Sequence, residues 1–333
     1  MLVASSGGHL AQLEVLAPRI PGFDDDAIWI TSESPQSQSL LEGRRLYFVR
    51  ATPARGLVPT IQTVPYALRL LTSIKPSLVV STGNAIAGAF LPAAAALGIP
   101  SAYIESAART VGPSLTGKAL ERVPGVRLYT QHPDWHARKW SYAGSVFDGY
   151  EASIRPLARI KRVFVTVGIS AFGYRRLIER VLEVTPPDVD VVWQTGATDT
   201  KGLPIKPIPT MQFAEVSRQM AEADVVVAHA GVGSVLAALN ASKAPVLVPR
   251  MSEFGEHVDD HQAQIGNAVK ARGLAVVAPA PMLTFDDMLL ASSRRIDRFP
   301  GPMPLRMRPC HEAEPDPSSG HWRIRSSRGR ATR

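Results

Sequence analysis

Four short segments hold the side chains that could do chemistry. In Ser5-Ser6-Gly7-Gly8-His9 an imidazole directly follows two glycines. Glycines let a backbone approach a ligand closely, and an imidazole beside them can take a proton from a hydroxyl. A capped turn with a packing histidine would leave the same pattern. His229-Ala230-Gly231-Val232-Gly233-Ser234 offers two glycines and a hydroxyl, which suits a diphosphate held on backbone amides. A turn that needs glycine for positive φ is the plainer alternative. Gly255-Glu256-His257 and Asp259-Asp260-His261-Gln262 gather acids, imidazoles and an amide that could hold sugar hydroxyls, or cap the next helix from Asp260. His257 and His261 stand among these acids, but no compact three-ligand spacing is evident, and no metal is expected. Glu105-Ser106-Ala107-Ala108-Arg109, followed by Pro113-Ser114-Leu115-Thr116-Gly117-Lys118, puts an acid and a base on one rim suited to hydroxyl or phosphate contact. An ordinary Glu/Arg ion pair is the alternative there.

These segments need elements that end beside one another, and the hydropathy pattern supplies them. Apolar runs of strand length alternate with helical patterns, the signature of βαβ units and a parallel sheet. In the first half the pattern predicts strands at 1–5, 27–31, 46–49, 77–81, 101–105 and 126–129. Helices are predicted from 10 onward, over 56–73 and over 85–97. In the second half, strands at 163–167, 189–194, 225–229, 245–248 and 275–277 alternate with helices at 174–184, 213–223, 234–241, 261–272 and 285–293. Doubly wound sheets bind ligands beyond their strand carboxyl ends, so the Gly7-Gly8 and 231–234 loops are expected on opposite walls of one cleft. The expected division is an N-terminal Rossmann-like domain (1–150), a linker (151–161), a second Rossmann-like domain (162–293) and a basic, disordered tail (294–333). The first loop is not GxGxxG and no acid stands at the usual ribose distance, which argues against a dehydrogenase.

At 333 residues with 45% hydrophobic side chains, the chain is long enough for two cores. It contains no run of about 18 apolar residues that would span a bilayer. Its start, MLVASSGGHL, has neither the charged n-region nor the long h-region of a secretory signal. The lone Cys310 excludes an intramolecular disulfide and a Cys-rich zinc site. A net charge of +8 would ordinarily point to nucleic acid, yet ten Arg against four acids fall within 294–333. The basicity belongs to the tail, and no nucleic-acid partner is expected. The apolar stretch 56–73, with Arg55, Arg69 and Lys75 nearby, fits either a membrane-surface helix or a core helix.

Taken together, SSGGHLAQL, TSES, STGNAIAG, YIESAARTVGPSLTGK and YAGS resemble the acceptor half of GT-B glycosyltransferases of family 28 across about residues 1–146. The closest likeness is to the two-subunit type, which includes the dolichol-linked chitobiose N-acetylglucosaminyltransferase and bacterial exopolysaccharide relatives. VFVTVGISAFGYRRLI, ADVVVAHAGVGSVLAAL and VPRMSEFGEHVDDHQAQ resemble the donor half across about 162–278. The chain would be a fusion of both, and GEHVDDHQ points toward the capsule and exopolysaccharide branch.

The resemblance implies an α/β GT-B fold, two doubly wound Rossmann-like domains facing across a cleft. It implies an inverting transferase that moves a sugar from a UDP-sugar to a polyprenyl-diphosphate-linked saccharide. No cofactor or obligatory metal is implied, and the chain would be cytoplasmic, peripheral on the inner face of the plasma membrane. His9 would be the base, with Glu105 on the same rim as a second candidate. Gly7, Gly8, Gly83, Asn84, Arg109 and Ser114 would meet the acceptor. Gly168, Gln194, Gly196, His229, Gly231, Gly233, Ser234, Glu256, Asp260, His261 and Gln262 would meet the donor. Ala237 departs from the pattern, because several relatives carry there a glutamate that binds the ribose diol. Three alternatives remain: an N-acetylglucosaminyltransferase of the chitobiose or peptidoglycan type, a non-hydrolysing UDP-sugar epimerase, and a non-catalytic scaffold half. The epimerase would need further acids around the sugar in both lobes.

Overall fold

A computed structural model describes residues 1–50, 56–135, 138–156, 159–299, 301 and 303–307. Arg55, Cys310 and the greater part of the basic tail lie outside the described residues. The first half is a parallel sheet of seven strands: β1 (Leu2–Ala4), β2 (Trp29–Ser32), β3 (Leu46–Val49), β4 (Val79–Gly83), β5 (Ser101–Ile104), β6 (Val126–Thr130) and β7 (Trp140–Tyr142). Their spatial order is β3-β2-β1-β4-β5-β6-β7. Helices cover both faces: α1 (Gly8–Leu16), α2 (Pro35–Leu40), α3 (Leu57–Ile74), α4 (Ala85–Ala96) and α5 (Leu115–Leu120). The central strands β1, β4 and β5 are buried along their whole length, as parallel strands covered on both faces must be. The strand order reverses between β1 and β4. There the chain leaves through Ser5–His9 on one side and Gly83-Asn84 on the other.

The second half repeats the plan. After β8 (Tyr150–Ile154), strands β9 (Arg162–Thr166), β10 (Asp190–Gln194), β11 (Pro207–Ile208), β12 (Val225–His229), β13 (Val246–Val248) and β14 (Val276–Val277) form a parallel sheet ordered β11-β10-β9-β12-β13-β14. Helices α6 (Arg175–Val184), α7 (Phe213–Glu222), α8 (Val232–Asn240), α9 (His261–Ala271) and α10 (Phe285–Ser292) accompany it. Its reversal falls between β9 and β12, at Gly168 and at His229–Gly231. Both glycine loops thus sit at topological switch points, where such sheets open a binding crevice.

Two features differ from the sequence expectation. The predicted tail does not begin at Arg294, because β15 (Arg294–Arg298) pairs antiparallel with β8 across the expected linker. In its sequence, RRIDR, Ile296 is fully buried between outward charges, so a single inward apolar residue is the whole hydrophobic signal. Further on, the Leu305 amide donates to the Arg19 carbonyl at 2.7 Å and the Arg306 amide to Ala143 at 2.8 Å, returning the chain to the first lobe. Second, the short elements α2, α5, β7, β8 and β11 go beyond the predicted set, each too short to show a period. Helix α3 has buried and exposed apolar side chains, which leaves both of its readings open. Ala67 and Leu71 are fully buried, while Val58 and Ile61 are 64% and 67% exposed.

Candidate functional site

His9 stands in the first turn of α1, whose N-cap Gly7 holds φ 97°, a conformation that favours glycine. Its Nδ1 lies 2.9 Å from the Thr82 carbonyl, and the Thr82 hydroxyl donates to the His9 carbonyl at 2.7 Å. A carbonyl only accepts, so Nδ1 carries the proton and Nε2 of the neutral ring keeps its lone pair. Burial lowers the imidazole pKa, the Thr82 carbonyl opposes this, and the charge of Arg109 adds to the lowering. Gly83, at φ 123°, makes room for the ring, since a β-carbon there would stand 3.0 Å from it. Asn84 turns its side chain onto the Ala85 amide at 2.8 Å and starts α4. These two residues shape the wall behind His9.

On the other lobe β12 delivers His229, and α8 begins behind Gly231 with no side-chain cap. The amides of that first turn are therefore not closed off by a side chain. The His229 ring is wedged between two glycines: a β-carbon on Gly168 would lie 2.5 Å from Cε1, and one on Gly231 2.4 Å from Nε2. Burial, and then the charge of Arg250, push this imidazole down to about 3, so it is neutral. Its Nδ1 is buried without a hydrogen-bond partner. The two lobes meet at their glycines. A β-carbon on Gly8 would lie 3.5 Å from the Gly233 amide, and one on Gly233 3.6 Å from the Gly8 Cα. The N-termini of α1 and α8 thus converge, and two positive helix ends together favour an anion between them.

Several expected contacts are turned inward. Gln194, 3% exposed, donates to the Gly168 and Pro209 carbonyls at 3.0 and 3.1 Å and accepts from the Gly168 amide and the Thr166 hydroxyl. A β-carbon on Gly196 would strike the Gly168 carbonyl at 2.5 Å. Both residues brace the turn after β9 and offer no side chain to a ligand. Glu256 is held by Arg176 through two contacts of 2.8 and 2.9 Å and accepts from the Met251 amide at 3.0 Å. Gln262 accepts from the Arg250 amide at 3.1 Å. Neither reaches for a sugar. Asp260 accepts from the Ser252 amide at 2.7 Å, and its side chain does not cap α9.

Glu105 is also corrected. The carboxyl is 1% exposed and accepts from Tyr103 at 3.0 Å, the Ser106 amide at 3.0 Å and the Ser114 amide at 2.8 Å. Burial pushes its pKa up, and the hydrogen bonds from Ser114 and Ser106 oppose this. A group so enclosed ties the 105–114 loop together. Ser114 is likewise committed, since its hydroxyl accepts from the Gly117 amide at 3.0 Å and starts α5.

Arg109 does reach into the cleft, but toward the other lobe. Its guanidinium meets Asp259 at 3.3 Å, and the Thr110 amide and hydroxyl donate to Gln264 at 3.3 and 3.1 Å. Asp259 also contacts His261 Nδ1. Contrary to the expectation from spacing, His257, Asp259 and His261 place their ligand atoms within 4.8 Å of one another. The loop bends through residues 256–260 before α9, and those bends are not visible in a linear spacing. Arg250 was missed altogether. Fully buried, it donates to the carbonyls of Phe172, Gly173 and Glu256 at 2.8, 3.0 and 3.0 Å and of Val167 at 2.7 Å. Its signal was a charge two residues after the apolar strand β13.

Residues 162–277 match the glycosyltransferase family 28 C-terminal domain. A Myxococcus xanthus protein, the UDP-N-acetylglucosamine--N-acetylmuramyl-(pentapeptide) pyrophosphoryl-undecaprenol N-acetylglucosamine transferase, is 26% identical over 314 residues, 84% of this chain and 79% of its own length. Among solved structures, MurG of Acinetobacter baumannii matches with TM-score 0.53 at 19% identity, covering 86% of this chain and 88% of that one. The glycotransferase of kitacinnamycin gives 0.56 at 18%, covering 87% and 88%. These likenesses carry the fold: two Rossmann-like domains in the GT-B arrangement.

Proposed function

We infer that this chain, a glycosyltransferase whose second half is a family 28 C-terminal domain, moves a sugar from a UDP-sugar to a polyprenyl-diphosphate-linked saccharide. One observation carries the reading: the N-termini of α1 and α8 converge through Gly8 and Gly233, directly beside a histidine whose Nε2 is free to accept a proton. The α8 amides and Ser234 would hold the donor diphosphate and take up the charge that develops as UDP departs. His9 Nε2 would remove the proton from the acceptor hydroxyl while that oxygen attacks the anomeric carbon, and the carbon–oxygen bond to UDP breaks with inversion.

The acceptor's lipid would place the enzyme against a membrane. No helix among the described residues is long and apolar enough to cross one. Val58 and Ile61 on α3 and Phe48 on β3 are exposed apolar side chains of the kind that suits the inner surface of the cytoplasmic membrane. The Myxococcus relative's name supports N-acetylglucosamine transfer to a peptidoglycan lipid precursor, whereas GEHVDDHQ supports a cell-surface polysaccharide. A UDP-release screen separates them, with UDP-linked glucuronic acid, galactose, glucose and N-acetylglucosamine against prenyl-diphosphate-linked saccharides of both kinds. Release that depends on the lipid-linked acceptor supports the reading. A free 2-epimer of the donor, or no turnover with any pair, overturns it.

A further inference from the structure

We propose that His257, Asp259 and His261 bind one divalent transition-metal ion of the zinc class on the second-lobe wall of the cleft. The three ligand atoms already converge, all within 4.8 Å of one another. His257 Nδ1 lies 3.5 Å from Asp259 Oδ1, near the roughly 3.3 Å that separates two ligands each about 2.0–2.1 Å from a tetrahedral ion. His261 Nδ1 contacts the same carboxylate oxygen. The His257 and His261 rings stand edge to face with centroids 4.6 Å apart.

A second observation points to a ligand. His257 Nδ1 is buried and has no hydrogen-bond partner, although polar atoms buried in proteins are rarely left so. Two imidazoles and one carboxylate are a zinc-type donor set, whereas Mg²⁺ and Ca²⁺ prefer oxygen alone. The other Asp259 oxygen meets Arg109 at 3.3 Å, an outer partner of the kind that orients ligating carboxylates. Three protein ligands leave a fourth position, open to water or to an oxygen of a bound ligand. The three side chains converge whether or not the chain transfers a sugar.

The test uses the full-length chain, stripped with a chelator. Co²⁺ binding is followed by its visible absorption, and Zn²⁺ binding by competition with a chromophoric chelator. One ion per chain is expected, with the intense visible band of low-coordinate cobalt. Asp259→Asn and His257→Gln should each weaken binding by about 100-fold or more, with unchanged thermal melts of the metal-free proteins. If either variant melts early, His261→Gln takes its place. Absence of competition for Zn²⁺, or binding that survives these substitutions, overturns the site. UDP affinity measured on the same unsubstituted chain keeps the two readings apart, because a chain that binds UDP but no Zn²⁺ loses only the metal site.

Discussion

The β-carbon position of Gly231 lies 2.4 Å from Nε2 of His229, although Gly231 has φ −82°, which any residue can adopt. The glycine is therefore required by the imidazole beside it and not by its own turn. Gly168 meets the same ring from the other side at 2.5 Å.

Gly231→Ala should push the His229 ring out of its slot and disturb the first turn of α8. Charge-assisted hydrogen bonds to an anion are worth about 1.5–3 kcal/mol each, so UDP should bind roughly 10-fold or more weaker. Calorimetry with UDP checks this, and wild-type affinity in the variant would remove the α8 terminus from the donor site.

Glu105 provides the contrast with a base. Glu105→Gln keeps the size and one acceptor oxygen but gives up either the bond from Ser114 or the two from Tyr103 and Ser106, so stability should fall by about 1–3 kcal/mol. The acid limb of the kcat/KM profile should not move. A rate loss of about 100-fold or more with that limb abolished would return the proton transfer to Glu105.

Much of this framework was legible in the chain, and the reasons differ by element. Parallel strands buried on both faces carry short apolar runs, such as residues 163–165 in β9 and 225–228 in β12, so β1, β4, β9 and β12 could be placed, and with them both glycine loops. Which polar side chains face the cleft was not legible. Gln194, Glu256 and Gln262 have the same chemistry whether they hold a sugar or a neighbouring amide, and only the fold decides that they turn inward. The His257–Asp259–His261 cluster and β15 share a cause: each is a contact made only in the folded chain and leaves no period in the sequence.

Ending the chain after Ser293 should destabilise it, since this removes β15 and the buried Ile296 and Leu305. Burying two such side chains contributes about 3–6 kcal/mol. Ending it after Met307 should leave stability and UDP binding unchanged. Urea unfolding of both truncations checks the pair, and equal stabilities would mean that the return strand contributes nothing.

Acid should destabilise the fold through His229. Its folded pKa is lowered to about 3 while the unfolded imidazole titrates near 6.5. Between those values the unfolded chain binds a proton that the folded chain refuses. Stability is thus unaffected by this group above about pH 6.5, falls as pH drops through the window, and levels off below the folded value. The slope it adds is at most about 1.4 kcal/mol per pH unit. His229→Asn removes the titration, so unfolding measured at pH 7 and pH 5 should show a smaller difference in the variant. An unchanged difference would mean that His229 is protonated in the folded state.

The last prediction concerns His9. The Thr82 carbonyl fixes the proton on Nδ1, and burial with the Arg109 charge keeps the ring neutral below the ordinary imidazole range. Nε2 is then the accepting atom near pH 7, and kcat/KM should hold on the acid side until pH falls below about 6.5. His9→Asn can still present an N–H to Thr82 where Nδ1 does, but it cannot take a proton. Its kcat should fall by about 10²–10⁴, with UDP affinity changed little, because the donor contacts belong to the other lobe. Single-turnover rate and UDP affinity in the same preparation separate the outcomes. A normal rate leaves His9 as a positioning residue for the first glycine loop. A rate lost together with UDP affinity makes it a diphosphate contact, reached across the gap between Gly8 and Gly233. Only a lost rate with affinity kept, and with the acid limb of the pH profile gone, assigns it the proton.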